Sequence, residues 1–191
     1  DDVARRDHAF PSPAVRPSVV VTARSLNLEK NEATASHGIK VITTAENRWP
    51  RVDIKSISLL PNVLAKQQAR EQGAYEAWFV DRDGFVTEGA SSNAWIITKD
   101  GIVVTRSADA GILPGITRTV LTEVLAALQI RLEVRPFTPQ EAYEAAEAFV
   151  TACSQIVMPV VAIDGKSVGG GQPGPIALKL RQHFHQFSAF S

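Results

Sequence analysis

Residues 76–105 read EAWFVDRDGFVTEGASSNAWIITKDGIVVT, and this stretch decides the fold class. The dipeptides Asp83-Gly84 and Asp100-Gly101 are typical of the tight turns that join hairpin strands. The residues around them are largely apolar, aromatic or β-branched, which indicates four short strands: 76–80, 85–86, 94–98 and 102–105. Hairpin strands that follow one another in this way favour a sheet with antiparallel pairs.

Further strands and helices are predicted on either side of this stretch. Strand-like runs lie at 19–22, 39–44, 130–134, 148–152 and 157–163, and the polar residues 27–37 are interpreted as a loop. Helical patterns cover 59–72, 117–128, 138–146 and 175–184. Thr138 and Glu141 have the spacing of a capping box, and Thr117 is expected to be the N-cap of its helix. The mixture of hairpins and inserted helices predicts an α+β fold.

Composition excludes several classes of protein. The chain has 191 residues, 45% of them hydrophobic, which suffices for one domain with a sizeable core. Its 20 Lys and Arg balance its 20 Asp and Glu, which argues against a general nucleic-acid binder and against a polybasic membrane-surface protein. No apolar run approaches the roughly 20 residues of a membrane span, and no basic-then-apolar leader is expected. His183 and His185 have too few accompanying ligands to predict a metal site. With Cys153 as its single cysteine, the chain is expected in a reducing compartment such as the cytoplasm.

Lys55 is the first candidate for chemistry. It lies in Asp53-Ile54-Lys55-Ser56 and precedes the apolar run 57–60, which makes it a candidate for a buried lysine. Burial lowers the pKa of a lysine and makes its amine a nucleophile able to form a Schiff base. The alternative is a surface lysine whose stem is packed while its amine stays in water.

Glu88 is the second candidate. It lies in the segment 87–93, TEGASSN, between a predicted strand and a cluster of small residues. A carboxylate in such a place is suited to hold a proton on the pyridine nitrogen of a flat cofactor. The alternative is a polar β-turn in which Asn93 satisfies backbone groups.

Two further segments have the chemistry of anion binding. Residues 111–118, GILPGITR, precede a predicted helix, where backbone N–H groups and the Thr117 hydroxyl suit a phosphate. The alternative there is a plain capped helix. Arg6 and His8, two positions apart, are able to converge on a carboxylate through charge-assisted hydrogen bonds. The alternative for this pair is a solvated chain terminus.

Taken together and in this order, the four segments resemble the class IV, fold-type IV family of pyridoxal-phosphate (PLP) enzymes. That family holds D-amino-acid aminotransferases, branched-chain aminotransferases and aminodeoxychorismate lyases. Residues 53–62 resemble the segment of the Schiff-base lysine, residues 88–93 the signature around the glutamate that faces the pyridine nitrogen, and residues 111–118 the phosphate-binding loop. The Arg6-x-His8 pattern favours the D-amino-acid branch.

The resemblance implies a role for each of these residues. Lys55 would carry the Schiff base and move the proton between Cα and the cofactor. Glu88 would pair with the protonated pyridine nitrogen, and Leu113 would pack against the ring. Ile116 and Thr117 would bind the cofactor phosphate.

Three more implications concern the rim of the site. Arg6 and His8 would hold the substrate α-carboxylate across a subunit interface, so a homodimer is implied. Cys153 stands where the family usually has a threonine that touches the phosphate, and Ser154 is the neighbouring candidate for that contact. The fold implied is the large pseudo-barrel C-terminal domain of these enzymes.

The resemblance also sets the domain organisation and the activity. Residues 1–17 would be a lead-in strand and interdomain connector, and residues 18–191 the large PLP-binding domain. The family's small N-terminal domain, which supplies an arginine for the phosphate and one wall of the substrate pocket, is absent from this sequence. The implied activity is transamination between a D-amino acid and a 2-oxo acid. The alternatives are branched-chain aminotransferase or aminodeoxychorismate lyase activity, or a non-catalytic fragment that binds no cofactor.

Overall fold

The structure of the chain, a computed structural model, describes residues 7–108 and 111–188. Its centre is one mixed sheet in the order β3-β2-β1-β8-β7-β4-β5-β6, with β9 paired to β8. The strands are β1 (Ile39–Ala45), β2 (Glu76–Val80), β3 (Val86–Gly89), β4 (Asn93–Ile97), β5 (Val103–Thr105), β6 (Leu132–Val134), β7 (Glu147–Ala152), β8 (Ile156–Ile163) and β9 (Lys166–Ser167).

The sheet curls because β3 and β4, which stand at opposite ends of a row of six hydrogen-bonded strands, are also joined by a short link in the chain. Strands β3 and β4 stand at the two ends of the six-strand path β3-β2-β1-β8-β7-β4. Only residues 90–92 join them along the chain, and the Gly89 N–H donates to the Ser92 carbonyl at 2.7 Å. The ends of the six-strand path therefore meet. This geometry confirms the predicted α+β pseudo-barrel.

Five helices cover this sheet: α1 (Leu28–His37), α2 (Leu60–Glu71), α3 (Ile116–Ala127), α4 (Pro139–Glu144) and α5 (Pro175–Ser188). Helix α2 connects the parallel neighbours β1 and β2, and Ala65 and Ala69 are buried beside Phe79. Helices α3 and α5 share a core with β4 and β7, where the rings of the cross-strand neighbours Trp95 and Phe149 stack at 5.4 Å. No helix among residues 7–108 and 111–188 is long and apolar enough to cross a membrane.

Most predicted helices and strands are confirmed, and their first residues agree with the prediction to within one or two positions. The strands predicted at 76–80, 94–98, 102–105, 148–152 and 157–163 appear as β2, β4, β5, β7 and β8. The capping box is confirmed, because the Thr138 hydroxyl accepts from the Glu141 N–H while the Glu141 carboxylate accepts from the Thr138 N–H. Local turn and cap chemistry was sufficient at these places.

Residues 27–37, interpreted as a loop, instead form helix α1. Asn27 is its N-cap and accepts a hydrogen bond from the Lys30 N–H at 2.8 Å, and Glu29 lies in the first turn. Only Ala35 is buried along the helix. The sequence therefore has no apolar stripe to indicate a helix here. The features that do indicate one are the Asn27 cap and the acidic residue in the first turn.

Residues 19–22, predicted to be a buried strand, lie outside every helix and strand of the described chain. Val19, Val20 and Val21 are 82%, 84% and 88% exposed. A strand needs a neighbour for its N–H and C=O groups, and none of the nine strands pairs with these residues. The prediction was wrong because apolar composition does not supply that neighbour. The boundary between residues 17 and 18 stays a prediction.

Glu147 at the start of β7 anchors helix α5. Its side chain is buried, and its two carboxylate oxygens accept from the Ile176 and Ala177 N–H groups at 3.0 and 2.8 Å. These are orphan donors of the first helical turn. Gly174 leaves room for the carboxylate, because a Cβ there would lie 2.0 Å from the Glu147 Cδ.

Replacing Glu147 with alanine should lower the free energy of unfolding by about 1–3 kcal/mol, because two N–H groups at the start of α5 lose their acceptor. Urea unfolding followed by circular dichroism measures the loss. Glu123→Ala, at an exposed position of α3, is the matched control and should change the free energy of unfolding by under about 0.5 kcal/mol. Equal effects of the two substitutions would contradict the anchoring role of Glu147.

Candidate active site

A cavity of about 1760 Å³ opens beside α2 and the ends of β3, β4 and β7. Its walls come from the loop 47–59, one side of α2, residues 74–75, the β3–β4 link with the ends of both strands, residues 113–117 and residues 151–154. The cavity brings together all but two of the residues that the sequence predicts for the site: Lys55, Glu88, Leu113, Ile116, Thr117, Cys153 and Ser154.

Glu88 is buried at the base of the cavity, near the end of β3. Its Oε1 accepts from the Arg48 guanidinium at 2.6 Å, and its Oε2 accepts from the Asn93 amide at 2.9 Å. The Leu113 N–H is shared between both oxygens at 3.2 Å. Because the carboxylate has three donors around it, its orientation toward the cavity is fixed.

Arg48 lies behind Glu88 and joins it to a second carboxylate. Its side chain is 6% exposed and donates to Glu46 through Nε at 2.8 Å and through Nη2 at 2.6 Å. The Thr87 hydroxyl donates to Glu46 at 2.9 Å, and the guanidinium lies 4.5 Å from the centre of the Phe79 ring. One buried cation therefore stands between two carboxylates.

Burial and the arginine act in opposite directions on these carboxylates. Burial raises the pKa of Glu88, and the positive charge and hydrogen bond of Arg48 offset only part of that rise. Burial also acts to raise the pKa of Glu46, but its hydrogen bonds and ion pair with Arg48 prevail, so that pKa is lowered. The pKa of Arg48 is raised, since the two carboxylates outweigh its burial. The environment of Glu88 is therefore one in which a further hydrogen-bond donor or cation is favourable.

Asn93 connects Glu88 to the loop before α3. Its side-chain amide donates to Glu88 and also to the Leu113 carbonyl at 2.9 Å. Gly115 approaches it so closely that a Cβ would lie 2.4 Å from the Asn93 Oδ1. The alternative reading of Asn93 as a turn residue that satisfies backbone groups is thus correct in part, and the residue also orients Glu88.

Two backbone segments, which we name the anion end, line the cavity: residues 115–117 and residues 152–154. The first is the start of α3, where N–H groups have no partner within the helix. Gly115, not Thr117, is the N-cap; Thr117 is a buried residue inside the first turn. The prediction of a Thr117 cap was wrong because Gly115 already has the extended conformation (φ −64°, ψ 136°) that precedes a helix.

Lys55 lies on the exposed loop between β1 and α2, and the prediction of a buried lysine was wrong. The residues around it form turns and no strand, and Arg51 and Asp53 pair at 2.8 Å on the solvent side. The neighbouring Ile57 is 97% exposed. The apolar run after Lys55 thus borders the cavity mouth, and Lys55 is a lining residue of the same cavity as Glu88 without being enclosed.

Of the two predicted substrate residues, the structure describes only His8. Arg6 lies outside the described residues, and His8 is exposed and absent from the lining. Among residues 7–108 and 111–188, no group of three His, Cys, Asp or Glu side chains is arranged to hold a metal ion.

Sequence reasoning missed Arg48 and Glu46. Both lie in the polar segment 45–50, where the Glu-x-Arg pattern alone resembles a solvated surface. One signal in the sequence could have indicated their role: Lys55 follows Arg48 by only seven residues. The contact of Arg48 with Glu88 depends on the pairing of β1 with β2, which the sequence pattern did not predict.

Arg48→Met should lower the free energy of unfolding by about 3–5 kcal/mol near pH 8, because the buried Glu88 and the half-buried Glu46 lose their shared cation. In the variant, the pKa of Glu46 and of Glu88 should exceed the unfolded values. Such groups release protons on unfolding, so the loss of stability should shrink as the pH falls toward 5.

Urea unfolding of the variant and the parent chain at pH 8 and pH 5 measures this difference. Arg131→Met removes a largely exposed arginine, which pairs with Glu133, and should have an effect under about 1 kcal/mol at both pH values. If Arg48→Met lowers the free energy of unfolding by the same amount at both pH values, the loss does not come from the unpaired charges of Glu46 and Glu88, and this explanation is contradicted.

The sequence of this chain is similar to those of known aminotransferases. The D-alanine aminotransferase of Bacillus licheniformis is 40% identical over 161 residues, which cover 84% of this chain and 56% of that protein. The D-alanine aminotransferase of Staphylococcus haemolyticus is 40% identical over 185 residues, covering 97% and 64%. This chain spans about 56–64% of the length of the curated relatives it matches.

Solved structures give the same result for the fold. A T.th. branched-chain amino acid aminotransferase complexed with N-(5'-phosphopyridoxyl)-L-glutamate matches with a TM-score of 0.76 and 30% identity over 80% of this chain and 52% of that chain. The branched-chain aminotransferase from Thermoproteus uzoniensis with norvaline matches with a TM-score of 0.74 and 29% identity over 79% and 51%. The family model described as amino-transferase class IV matches residues 2–163. Since this match takes in most of the chain, the chain belongs to the class IV aminotransferase family.

Proposed function

We propose that this chain forms the cofactor-binding part of a PLP-dependent transaminase that exchanges an amino group between a D-amino acid and a 2-oxo acid. The observation that carries the proposal is that one cavity is lined by Lys55, the buried Glu88 and the helix start at Gly115. An amine, a carboxylate and a row of backbone N–H groups match the aldehyde, ring nitrogen and phosphate of PLP.

The contacts of Glu88 leave a place for the cofactor. Its bonds to Arg48 and Asn93 are short, whereas the Leu113 N–H is shared between both oxygens at 3.2 Å. A ring N–H that approaches from the cavity would replace part of this shared contact. Burial of the carboxylate strengthens such a charge-assisted bond.

When bound, PLP supplies an aldehyde and an electron-withdrawing ring. Lys55 would hold the cofactor through its amine and would take and return the proton at the substrate Cα. Glu88 would hold the proton on the ring nitrogen, and Leu113 would pack against the ring. This assignment makes Lys55 the catalytic base and Glu88 the residue that maintains the electron-withdrawing state.

The anion end is proposed to bind the cofactor phosphate. The N–H groups of Ile116 and Thr117 lie in the first turn of α3, and the Thr117 hydroxyl is the side-chain donor. Cys153 and Ser154, on the opposite segment, supply backbone N–H groups and the Ser154 hydroxyl. Phosphate at a helix start is stabilised by unpaired N–H groups and by the helix dipole.

The open side of the cavity supports a proposal about assembly. Apolar side chains around the Lys55 loop and on α2 are exposed: Ile57 by 97%, Leu60 by 68%, Val63 by 57% and Leu64 by 57%. We propose that a small N-terminal domain and a second copy of the chain cover this rim, so that the protein is a homodimer. Arg6 and His8 would then bind the substrate carboxylate from across the interface. The cytoplasmic location stays a prediction.

The substrate class rests on the relatives. The curated relatives are named D-alanine aminotransferases and are 38–40% identical, whereas the matched branched-chain aminotransferase structures are at most 31% identical. The branched-chain reading is the second candidate because those structures share the fold. Aminodeoxychorismate lyase activity and a non-catalytic role remain the further alternatives that the sequence analysis raised.

The test uses a chimera in which the small N-terminal domain of a D-alanine aminotransferase relative precedes residue 1. With PLP and a 2-oxo acid it should consume D-alanine and spare L-leucine. Lys55→Ala should lower the rate by roughly 10³-fold or more, because the base and the covalent link are both lost. Lys40→Ala, at an exposed position of β1, is the control and should retain the parent rate.

Three outcomes would contradict the proposal in different ways. Preference for L-leucine would favour the branched-chain alternative. Full activity of Lys55→Ala would refute the assignment of the base. Failure of the chimera to bind PLP would favour the non-catalytic alternative.

A further inference from the structure

Arg181 on helix α5 is an almost fully buried cation that takes no part in the cavity wall. Its side chain is 4% exposed. Its Nη1 donates to the carbonyls of Gln155 and Val157 at 2.6 and 2.7 Å. Its other nitrogens donate to Glu32 at 2.7 and 3.0 Å and to the Asn31 side chain at 3.1 Å. One guanidinium thus connects α5, α1 and the turn between β7 and β8.

The same turn is held a second time from α1. The Asn31 amide donates to the Ser154 carbonyl at 2.5 Å. Together with the two bonds from Arg181, three carbonyls of residues 154–157 are bound to side chains of α1 and α5. Ile156 within this segment has a φ of +59°, a conformation that a β-branched residue adopts only when its surroundings hold it there.

The turn is also the second half of the anion end. Cys153 and Ser154 line the cavity. Their N–H groups donate to no other residue within the described chain. Because the carbonyls of residues 154, 155 and 157 are bound on the helix side, the peptide groups are prevented from turning acceptor oxygens toward an anion.

We infer that Arg181 and Asn31 are positioning residues that hold residues 153–155 in the shape that binds the cofactor phosphate. This inference rests on the proposed function, since PLP is the ligand concerned. It assigns a role in the site to α1 and α5, neither of which contributes a cavity-lining residue.

The fork of an arginine is needed for this arrangement. Two carbonyls and one bidentate carboxylate are bound simultaneously, and a lysine ammonium lacks the planar geometry to satisfy them all. Arg181→Lys therefore tests geometry at constant charge. Asn31→Ala removes only the bond to Ser154 O and the one from Arg181, at a half-buried position.

The experiment compares two ligands that differ only in the phosphate. PLP and pyridoxal are titrated by absorbance against the chimera that carries the small N-terminal domain, and the dissociation constant for pyridoxal divided by that for PLP measures the contribution of the phosphate. In Arg181→Met, Arg181→Lys and Asn31→Ala this ratio should fall, by about 10-fold in Arg181→Met, because the donors around the phosphate are misplaced. The affinity for pyridoxal should change by less than about 2-fold.

Arg106→Met is the matched control. Arg106 is also mostly buried and pairs with Asp81 at 2.6 Å, but it lies outside the cavity wall. Its variant should retain the parent ratio. A fall of the ratio in this control equal to that in Arg181→Met would overturn the inference, because any loss of a buried arginine would then have the same effect.

A cofactor-free measurement separates this inference from the proposed function. Hydrogen exchange of the ligand-free chain should speed up at residues 155–157, where Gln155 N–H donates to the Ala152 carbonyl and residues 156 and 157 pair with β7, in Arg181→Lys and stay unchanged at residues 115–120. If the parent chimera binds PLP no better than pyridoxal, the proposed function fails. If the parent has the preference and folded Arg181→Lys and Asn31→Ala retain it in full, the inference alone is overturned.

Discussion

The ion pair between Arg48 and Glu88 is the interaction on which the site depends. It lies where the ends of the six-strand path, β3 and β4, meet. The meeting of these strands curls the sheet and also buries the Glu88 carboxylate. The three-residue link between β3 and β4 brings Asn93 to the same carboxylate. A buried carboxylate without partners would be neutralised or displaced. With Arg48 and Asn93 in place, Glu88 is held at the base of an open cavity.

The two ends of the cavity are supported by different parts of the fold. The Glu88 end is held by neighbouring strands of the sheet, through Arg48 and Glu46. The anion end combines the start of α3 with the β7–β8 turn, and that turn is bound by α1 and α5. A ligand that spans both ends therefore depends on most of the described chain. Helices α1 and α5 therefore affect the shape of the cavity without lining it, because they bind the β7–β8 turn.

The fold was predictable where the chemistry is local. Asp-Gly turns, the Thr138–Glu141 capping box and the apolar stripe of α3 specify their elements within a few residues. The pattern failed at residues 19–22 and at α1. In the first case apolar residues lack a neighbouring strand, and in the second a polar helix buries only Ala35. Burial and pairing are properties of the whole chain, and a local pattern does not contain them.

The site divides in the same way. Lys55, Glu88 and the loop before α3 were identified because each lies in a short segment that resembles a family signature, and the structure brings them to one cavity. Arg48 was missed because its contact with Glu88 spans 40 residues and requires the β1–β2 pairing. The exposure of Lys55 was missed because the apolar residues after it line an open rim. In sequence, such a rim is indistinguishable from a core.

The most direct test of the central claim is to identify the lysine that bonds to PLP. The chain is incubated with PLP, reduced with borohydride, digested and analysed by mass spectrometry. The account predicts a phosphopyridoxyl group on Lys55, and a lower yield of that product in Glu88→Ala than in the parent chain. A label spread evenly over exposed lysines such as Lys40 and Lys179, with no enrichment at Lys55, would contradict it.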